Sequence, residues 1–269
     1  MKQKIIQRLR EIEAAHHVKV LYACEAGSRA WGFPSQDSDY DVRFLYLHPP
    51  EWYLSIQKKR DVIECPLSER LDISGWDLQK ALWLFYKSNP PLMEWLGSPM
   101  VYLEEYTVTQ RMRALLGEYY SPMASSYHYL HMARNNYREY LRGDTVWRKK
   151  YLYVLRPLLA VQWIEKGYGV VPTEFETLVK KLVTDPTLKE AIETLVRAKR
   201  AGKELDRGPR IDLLNQFIEQ QLARLQTYEI KHQKQAAPIE KLDELFIDAL
   251  AEVWGLARTT MARQRATLR

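Results

Sequence analysis

One stretch of the sequence, residues 22–47, constrains the fold and the chemistry of the chain most strongly. An apolar run ends in Gly27-Ser28, ten residues follow, and Asp39 and Asp41 then stand two apart in a run that alternates like a strand. Residues two apart on a strand project from the same face, so we expect both carboxylates to point to one place. Two like charges that close favour a positive partner, and Mg²⁺ suits carboxylate oxygens.

The turn before the acids suits a phosphate group. A glycine lets the backbone approach a ligand closely, so that amide N–H groups point at phosphate oxygens, and Ser28 adds a hydroxyl. Ten residues are enough for a turn and a returning strand, which would bring Asp39 and Asp41 beside Gly27. Arg29 follows directly and is placed to clamp an anion. The pattern predicts a site for Mg²⁺ and a triphosphate; the other interpretation is a hairpin with two surface acids.

Composition and charge exclude some classes of protein. The chain has 269 residues, of which 46% are apolar and 28% charged, enough for one large or two modest domains. No apolar run approaches the ~18 residues of a membrane span. Cys24 and Cys65 are interpreted as reduced core thiols. We therefore expect a cytoplasmic protein without a membrane partner.

The charge is distributed unevenly along the chain. Residues 1–106 carry 13 basic and 15 acidic side chains, whereas the remainder carries 27 basic and 19 acidic ones. This asymmetry fits a metal site that faces a polyanion-binding surface. A modest excess taken alone is more simply ordinary surface charge.

Hydrophobic periodicity divides the chain into two kinds of region. Up to residue 106 it predicts a small unit of strands and helices with a mixed sheet, in which Ser74 is the N-cap of a helix that ends before Asn89. Beyond residue 106 the periodicity is almost wholly helical, which predicts a helical bundle. We expect an α+β chain with a catalytic domain over 1–106 and a helical nucleotide- and acceptor-binding domain over 107–269.

The individual elements follow from the same periodicity. Strands are predicted over 18–24, 40–47, 60–65 and 69–73. Helices are predicted over 3–15, 75–88, 92–96, 107–119, 123–142, 145–166, 172–183, 187–202, 209–229 and 238–255. Residues 230–237 are predicted to be a loop. The tail from 258 to 269, with four arginines and no acid, is either solvated or in contact with nucleic acid.

These motifs resemble one protein family. Gly-Ser, a gap of about ten residues and Asp-x-Asp within a strand are similar to the signature of the DNA polymerase beta-like nucleotidyltransferases. The strings Gly-Ser-Arg-Ala-Trp-Gly-Phe (27–33) and Asp-Ser-Asp-Tyr-Asp-Val-Arg (37–43) resemble the RNA-ligase-associated predicted nucleotidyltransferases. Residues 71–78 and 87–99 look similar to that branch as well. The resemblance covers about residues 20–102 well and residues 127–180 more loosely. Tyr40 departs from the apolar residue common between the acids, which leaves the metal site intact.

The resemblance also implies a reaction and its cofactors. Three carboxylates would hold two Mg²⁺ ions and catalyse attack by a hydroxyl on the α-phosphate of a nucleoside triphosphate. Asp39 and Asp41 would serve both ions, and Asp72, on a neighbouring strand, would serve one of them and accept a proton. Glu64 and then Asp61 remain alternatives for the third acid.

A basic helix in the second half carries further predicted nucleotide contacts. Lys150, Tyr153 and Arg156 recur every three residues and so share a helical stripe, within residues 134–156 that hold seven basic and two acidic side chains. A lysine and a tyrosine that close over the triphosphate and the base are common in the superfamily that the chain resembles. The alternative is an amphipathic core helix with a solvated basic face.

Together these features predict a Mg²⁺-dependent nucleotidyltransferase. It would transfer a nucleoside monophosphate from an NTP to a hydroxyl, with an RNA end as the leading acceptor, in RNA repair or tailing. The RNA acceptor depends on the basic second half and on the family's association with RNA ligases. Two alternatives stay open: transfer to a protein or small-molecule hydroxyl, and a non-catalytic RNA- or nucleotide-binding module. The residues leave the base preference, the number of nucleotides added and the oligomeric state open.

Overall fold

The computed structural model describes residues 1–68, 70–202, 207–226 and 237–255. These residues form an α+β fold with a mixed sheet, as the sequence predicts. The strands are β1 (Lys19–Glu25), β2 (Tyr40–Leu47), β3 (Val62–Glu64), β4 (Leu71–Asp77), β5 (Val101–Glu104), β6 (Thr145–Trp147) and β7 (Arg207–Pro209).

Helices make up most of the remaining described chain. They are α1 (Lys2–His16), α2 (Gly27–Ala30), α3 (Pro50–Tyr53), α4 (Leu78–Tyr86), α5 (Pro90–Leu96), α6 (Val108–Tyr119), α7 (Pro122–Tyr140), α8 (Lys150–Glu165), α9 (Phe175–Leu182), α10 (Pro186–Arg200), α11 (Asp212–Arg224) and α12 (Glu240–Trp254).

The main sheet has five strands in the order β3-β4-β2-β1-β5. β1 is antiparallel to both β2 and β5, and β3 is antiparallel to β4. β2 and β4 are parallel, with Asp41 aligned with Asp72. Because parallel strands start at the same edge of a sheet, the beginnings of β2 and β4 lie side by side.

Helices cover both faces of this sheet. α1 packs Ile5 and Leu9 against one face, where Phe44 of β2 is buried. α4, α5, α6 and α12 cover the other face, where Leu45 of β2 is buried. Since alternate residues of a strand share a face, Asp41 lies on the same side as Leu45, at the edge where β2 begins.

A third buried cluster joins α7, α8, α9, α10 and α11. Its centre is α8, in which most residues are buried. Phe33, from the loop after α2, belongs to this cluster as well, so that loop packs on the helical part of the chain. α12 returns to pack against α4 and α6. The division of the chain at residue 106 stays a prediction.

Several predicted boundaries are wrong, for physical reasons. Ser74 is not an N-cap, because β4 continues to Asp77, and the Asp77 carboxylate accepts the Gln79 N–H at 2.8 Å. Residues 145–147 were predicted as helix but form β6, which pairs with the strand at 207–209. The sequence prediction also lacked β5 and the short helix α3. Residues 227–229, most of the predicted loop at 230–237 and the tail at 258–269 lie outside the described residues.

Two further expectations concern the cysteines and the membrane. Cys24 is buried and Cys65 is half-buried, and both are free, as predicted. Among the helices of the described ranges, none has the length and apolar character that crossing a membrane requires.

Candidate active site

The turn after β1 is built around Gly27. Gly27 has a φ of +55°, in the left-handed region that favours glycine, and a Cβ at this position would lie 2.1 Å from Oδ2 of Asp41. Any side chain here would therefore displace the second acid. Ser28, the next residue, is buried. The Gly-Ser turn and Asp41 are thus in direct contact, as the ten-residue gap predicts.

Two of the three predicted acids lie on adjacent strands. Asp41 of β2 and Asp72 of β4 are partners in the parallel register, whereas Asp39 is exposed and directly precedes β2. Arg43 lies between the two aligned acids. Its Nη2 is 2.8 Å from Oδ2 of Asp72 and 3.4 Å from Oδ1 of Asp41. Its Nη1 donates to the Asp72 carbonyl at 3.1 Å.

Sequence reasoning missed Arg43, although the signal was present. Arg43 stands two residues after Asp41 on the same strand, so the alternation that pairs Asp39 with Asp41 also places Arg43 on that face. The sequence predicts a positive partner for the acids, and the Arg43 guanidinium is one such partner.

The acids nevertheless carry more negative charge than Arg43 offsets. The pKa of Asp41 is raised, chiefly by burial and then by the charges of Asp72 and Asp39, while Arg43 acts in the opposite direction. Carboxylate oxygens at this density are the ligands that Mg²⁺ prefers. Within the described ranges no three His, Cys, Asp or Glu side chains are already gathered as a metal site. The acids fit a divalent cation in charge and donor type, with Arg43 lying between two of them.

The two alternatives for the third acid lie elsewhere. Glu64 is on β3, two strands from β2, and forms an ion pair with Arg60. Asp61 precedes β3 and pairs with Lys80 at 2.9 Å. The register therefore brings Asp72, and neither alternative, beside Asp41.

Tyr153 and Lys150 are neighbours on α8. The Tyr153 ring meets Trp31 edge-on, with centroids 5.4 Å apart. The pKa of Tyr153 is raised by burial and then by the charges of Asp41 and Asp39. Nζ of Lys150 lies 5.1 Å from the Tyr153 ring centroid. Tyr153 therefore lies within reach of the charges of Asp41 and Asp39, and Lys150 lies beside Tyr153.

The two predicted nucleotide-binding arginines contact the protein itself. Arg156 is buried, and its guanidinium donates to Glu94 at 2.8 Å and to the Thr173 carbonyl at 3.1 Å. It has no face open to a nucleotide. Arg29 donates to the carbonyls of Ser38 at 2.8 Å and Asp39 at 3.0 Å, and its guanidinium stacks on a tyrosine ring. Arg29 thus holds the loop that presents Asp39.

Another lysine, which the sequence did not single out, faces the same loop. Nζ of Lys199 on α10 lies 3.4 Å from Oγ of Ser35, four residues before Asp39. Burial lowers the pKa of Lys199, and the charge of Lys149 lowers it further. No local pattern reveals this contact, because it joins positions 164 residues apart.

The parallel pair of acid-bearing strands and the glycine turn against one acid are the arrangement that the sequence predicts for a nucleotidyltransferase. The comparisons agree with that class. Residues 1–248 match the family described as the RNA repair pathway DNA polymerase beta family, and the chain belongs to that family. The family match identifies a DNA polymerase beta-like protein and confirms the resemblance of its motifs.

Two individual proteins are also similar to the chain. One is the uncharacterized protein YcgL of Bacillus subtilis (strain 168), which is 52% identical over 256 residues, covering 94% of this chain and 98% of that protein. The other is the crystal structure of a nucleotidyltransferase-like protein from Exiguobacterium sibiricum 255-15. It has 15% identity and a TM-score of 0.29, and it covers 91% of this chain and 89% of the other. A TM-score this low carries no argument.

Proposed function

We propose that the protein transfers a nucleoside monophosphate from an NTP to a hydroxyl group at an RNA end, with the help of divalent cations. One observation supports this proposal most: Asp41 and Asp72 are aligned on parallel strands while Gly27 packs against the Asp41 carboxylate. This arrangement puts a phosphate-type turn and a pair of acids within one site.

The acids Asp39, Asp41 and Asp72 would hold the cations, two Mg²⁺ ions in our proposal. When bound, Mg²⁺ makes the acceptor hydroxyl more acidic and offsets the charge of the leaving pyrophosphate. Arg43 bridges Asp41 and Asp72, and its charge acts against the rise in the pKa of Asp41, so it favours the ionised form of Asp41 that binds a cation.

The two aligned acids, Asp41 and Asp72, differ in exposure, which suggests different roles for them. The side chain of Asp72 is 42% exposed and that of Asp41 is 28% exposed. The more accessible Asp72 would take the proton of the attacking hydroxyl, because it can be reached by an acceptor from solvent. Asp41, held against Gly27, would bind the cation whose charge attracts the α-phosphate.

The residues around the acids would bind the nucleotide. Backbone N–H groups of the turn at Gly27 and the Ser28 hydroxyl would contact phosphate oxygens. Lys150 would contact the triphosphate, and Tyr153 would contact the base. The pKa of Lys150 is lowered by burial and then by Lys149, so an anion beside it would relieve an unfavourable charge. Lys199 adds a further positive charge on this side of the loop.

An RNA end is the proposed acceptor for two reasons. The chain after residue 106 carries 27 basic and 19 acidic side chains, which favours a polyanionic partner. The description of the family to which the chain belongs includes the words RNA repair pathway.

The test is a labelling experiment that lets the enzyme choose its acceptor. The purified protein is incubated with each α-labelled NTP, Mg²⁺, RNA with free 3′-hydroxyls and total cellular protein. We expect label in RNA, none when the RNA carries a 3′-phosphate, and none with EDTA. Label in protein alone would exclude the RNA acceptor, and the absence of label from every fraction would contradict nucleotidyl transfer.

A further inference from the structure

Glu25 is a fourth acid beside the candidate active site. It is the last residue of β1 and is completely buried. Its Oε1 accepts the backbone N–H of Asp41 at 2.7 Å, and its Oε2 accepts the hydroxyl of Tyr102. Over the part of the chain that the structure describes, the Glu25 carboxylate has no salt bridge to a lysine or an arginine. None of the roles proposed above uses this residue.

Burying such a group is unfavourable. A buried acid without a cationic partner loses its hydration, and only hydrogen bonds compensate for that loss. A neutral, apolar side chain at the end of β1 would avoid the penalty altogether. The penalty therefore indicates that Glu25 serves the groups to which it is hydrogen-bonded. One of these groups is the backbone N–H of Asp41.

Asp41 is held at three points by the last residue of β1 and the two residues that follow it. Its N–H is bound by Glu25, and its carbonyl accepts the Ala26 N–H at 2.8 Å. Its Oδ2 lies against the Cα of Gly27, where a Cβ would be 2.1 Å away. The backbone and the carboxylate of Asp41 are thus fixed by three consecutive residues, Glu25, Ala26 and Gly27.

Tyr102 extends this support to the far strand of the sheet. It lies on β5, which pairs with β1 on the side away from β2. Its side chain is buried, and its hydroxyl is directed at Glu25. The link Tyr102–Glu25–Asp41 therefore crosses β5, β1 and β2 and ends at a predicted catalytic acid. Ser98 also holds Glu25, because its Oγ donates to the backbone carbonyl of Glu25 at 2.7 Å.

We infer that Tyr102 and Glu25 are positioning residues that fix the direction of the Asp41 carboxylate, an inference that rests on the proposed function. Neither residue touches a nucleotide; both act through Asp41. Because a displacement of about 1 Å at a catalytic group can slow a reaction by about 10²-fold, loosening this link lowers kcat. It leaves the affinity for the nucleotide largely unchanged, since other residues bind the phosphates and the base.

The first test removes a single hydroxyl group. Tyr102→Phe keeps the ring and deletes one hydrogen bond to a charged group, so we expect kcat to fall by about 10- to 100-fold and KM for the NTP to stay within about two-fold. Tyr46→Phe is the matched control. Tyr46 lies in the same sheet with its hydroxyl buried, and that hydroxyl has no hydrogen-bond partner among the described residues. We expect Tyr46→Phe to leave kcat unchanged.

The second test separates position from charge. The amide oxygen of Glu25→Gln can accept the Asp41 N–H, and its NH₂ can donate to the Tyr102 hydroxyl, so both contacts remain without the charge. We expect Glu25→Gln to retain kcat within about five-fold and Glu25→Ala to lose about 100-fold or more. If Glu25→Gln were as impaired as Glu25→Ala while folding normally, the role would be one of charge, and the inference would be wrong.

The third readout does not depend on activity. Hydrogen exchange at the Asp41 amide, measured by NMR, reports directly on the bond to Glu25. We expect exchange to be at least about tenfold faster in Tyr102→Phe and in Glu25→Ala, and unchanged in Tyr46→Phe. If the wild-type protein transferred no nucleotide, the proposed function would fail, and this exchange would still test the positioning. Wild-type exchange in Tyr102→Phe, or faster exchange with wild-type kcat, would overturn the inference.

Discussion

Arg43 and Arg156 both bind carboxylates, and their surroundings differ in almost every respect. Arg43 lies between Asp41 and Asp72 at an edge of the sheet, with side chains that are 19% exposed for Arg43 and 42% for Asp72. Arg156 lies inside the molecule on Glu94, with side chains that are 1% and 14% exposed. The first contact joins two strands of the sheet, and the second joins α8 to α5.

The difference shows how a structural network is distinguished from a site that awaits a ligand. Around Arg156 the partners are complete: Glu94 also accepts the Tyr129 hydroxyl at 2.8 Å and the Trp31 indole N–H at 3.2 Å. Around Arg43 negative charge exceeds positive charge, and the pKa of Asp41 is raised. A complete network stabilises the fold, whereas an excess of one charge favours a bound ion of the other.

Removing one acid from the Arg43 site produces the largest expected effect. Asp41→Asn is expected to lower nucleotidyl transfer on the order of 10³-fold, because it deletes a cation ligand at the reacting phosphate. Thermal unfolding should change little, since the substitution also removes a like-charge repulsion. The matched control is Asp37→Asn, an exposed acid two residues before Asp39 that pairs with Arg70. Equal loss of activity in both variants would contradict the assignment.

A substitution at Arg156 is expected to lower the stability of the fold. Arg156→Met leaves Glu94, whose side chain is only 14% exposed, without its cation, so we expect the free energy of unfolding to fall by about 3 kcal/mol. Arg43→Met, an equal change at the more exposed site, should lower it by about 1 kcal/mol or less. Urea denaturation of both variants measures the two values. Similar losses would show that the comparison between the two sites is wrong.

Asp77, at the opposite end of β4 from Asp72, extends the comparison to an acid whose effect on stability depends on pH. It is buried and is held by the Tyr53 hydroxyl at 2.6 Å and the Gln79 N–H at 2.8 Å instead of by an arginine. Burial raises its pKa from 3.8 to about 6. The folded state then holds this proton more tightly than the unfolded state does, so the contribution of Asp77 to stability is greatest below about pH 4 and is lost as pH rises to about 6.

The expected size of this effect is about 3 kcal/mol at most. Asp77→Asn keeps the cap of α4 and removes the titration. The free energy of unfolding, measured between pH 4 and 7, should therefore fall less steeply with pH in the variant than in the wild type. Identical slopes in the two proteins would show that Asp77 is ionised throughout this range.

The part of the site that could be predicted from the sequence is local. The contact between Gly27 and Asp41 follows from a turn and a returning strand, and the family follows from the spacing of the same residues. The alignment of Asp72 with Asp41 was an inference about neighbouring strands, and the register of β2 with β4 agrees with it.

What the sequence did not reveal is either long-range or dependent on burial. Arg156 has the spacing of a ligand contact, but its role depends on Glu94, 62 residues earlier in the chain. Glu25 and Tyr102 are 77 residues apart and carry no motif. β4 exceeds its predicted length because pairing with β2 and β3 overrides the capping preference of Ser74.

The most direct test of the proposed active site compares two candidates for the third acid, Asp72 and Glu64. Asp72→Asn and Glu64→Gln each remove one carboxylate charge, from strands that are neighbours in the sheet. Transfer of α-labelled NTP to RNA with a free 3′-hydroxyl is measured for both variants and the wild type. We predict that Asp72→Asn lowers the rate of transfer on the order of 10²- to 10³-fold. The rate for Glu64→Gln should stay within about two-fold of the wild type. Full activity in Asp72→Asn, or its loss in Glu64→Gln alone, would contradict the proposed active site.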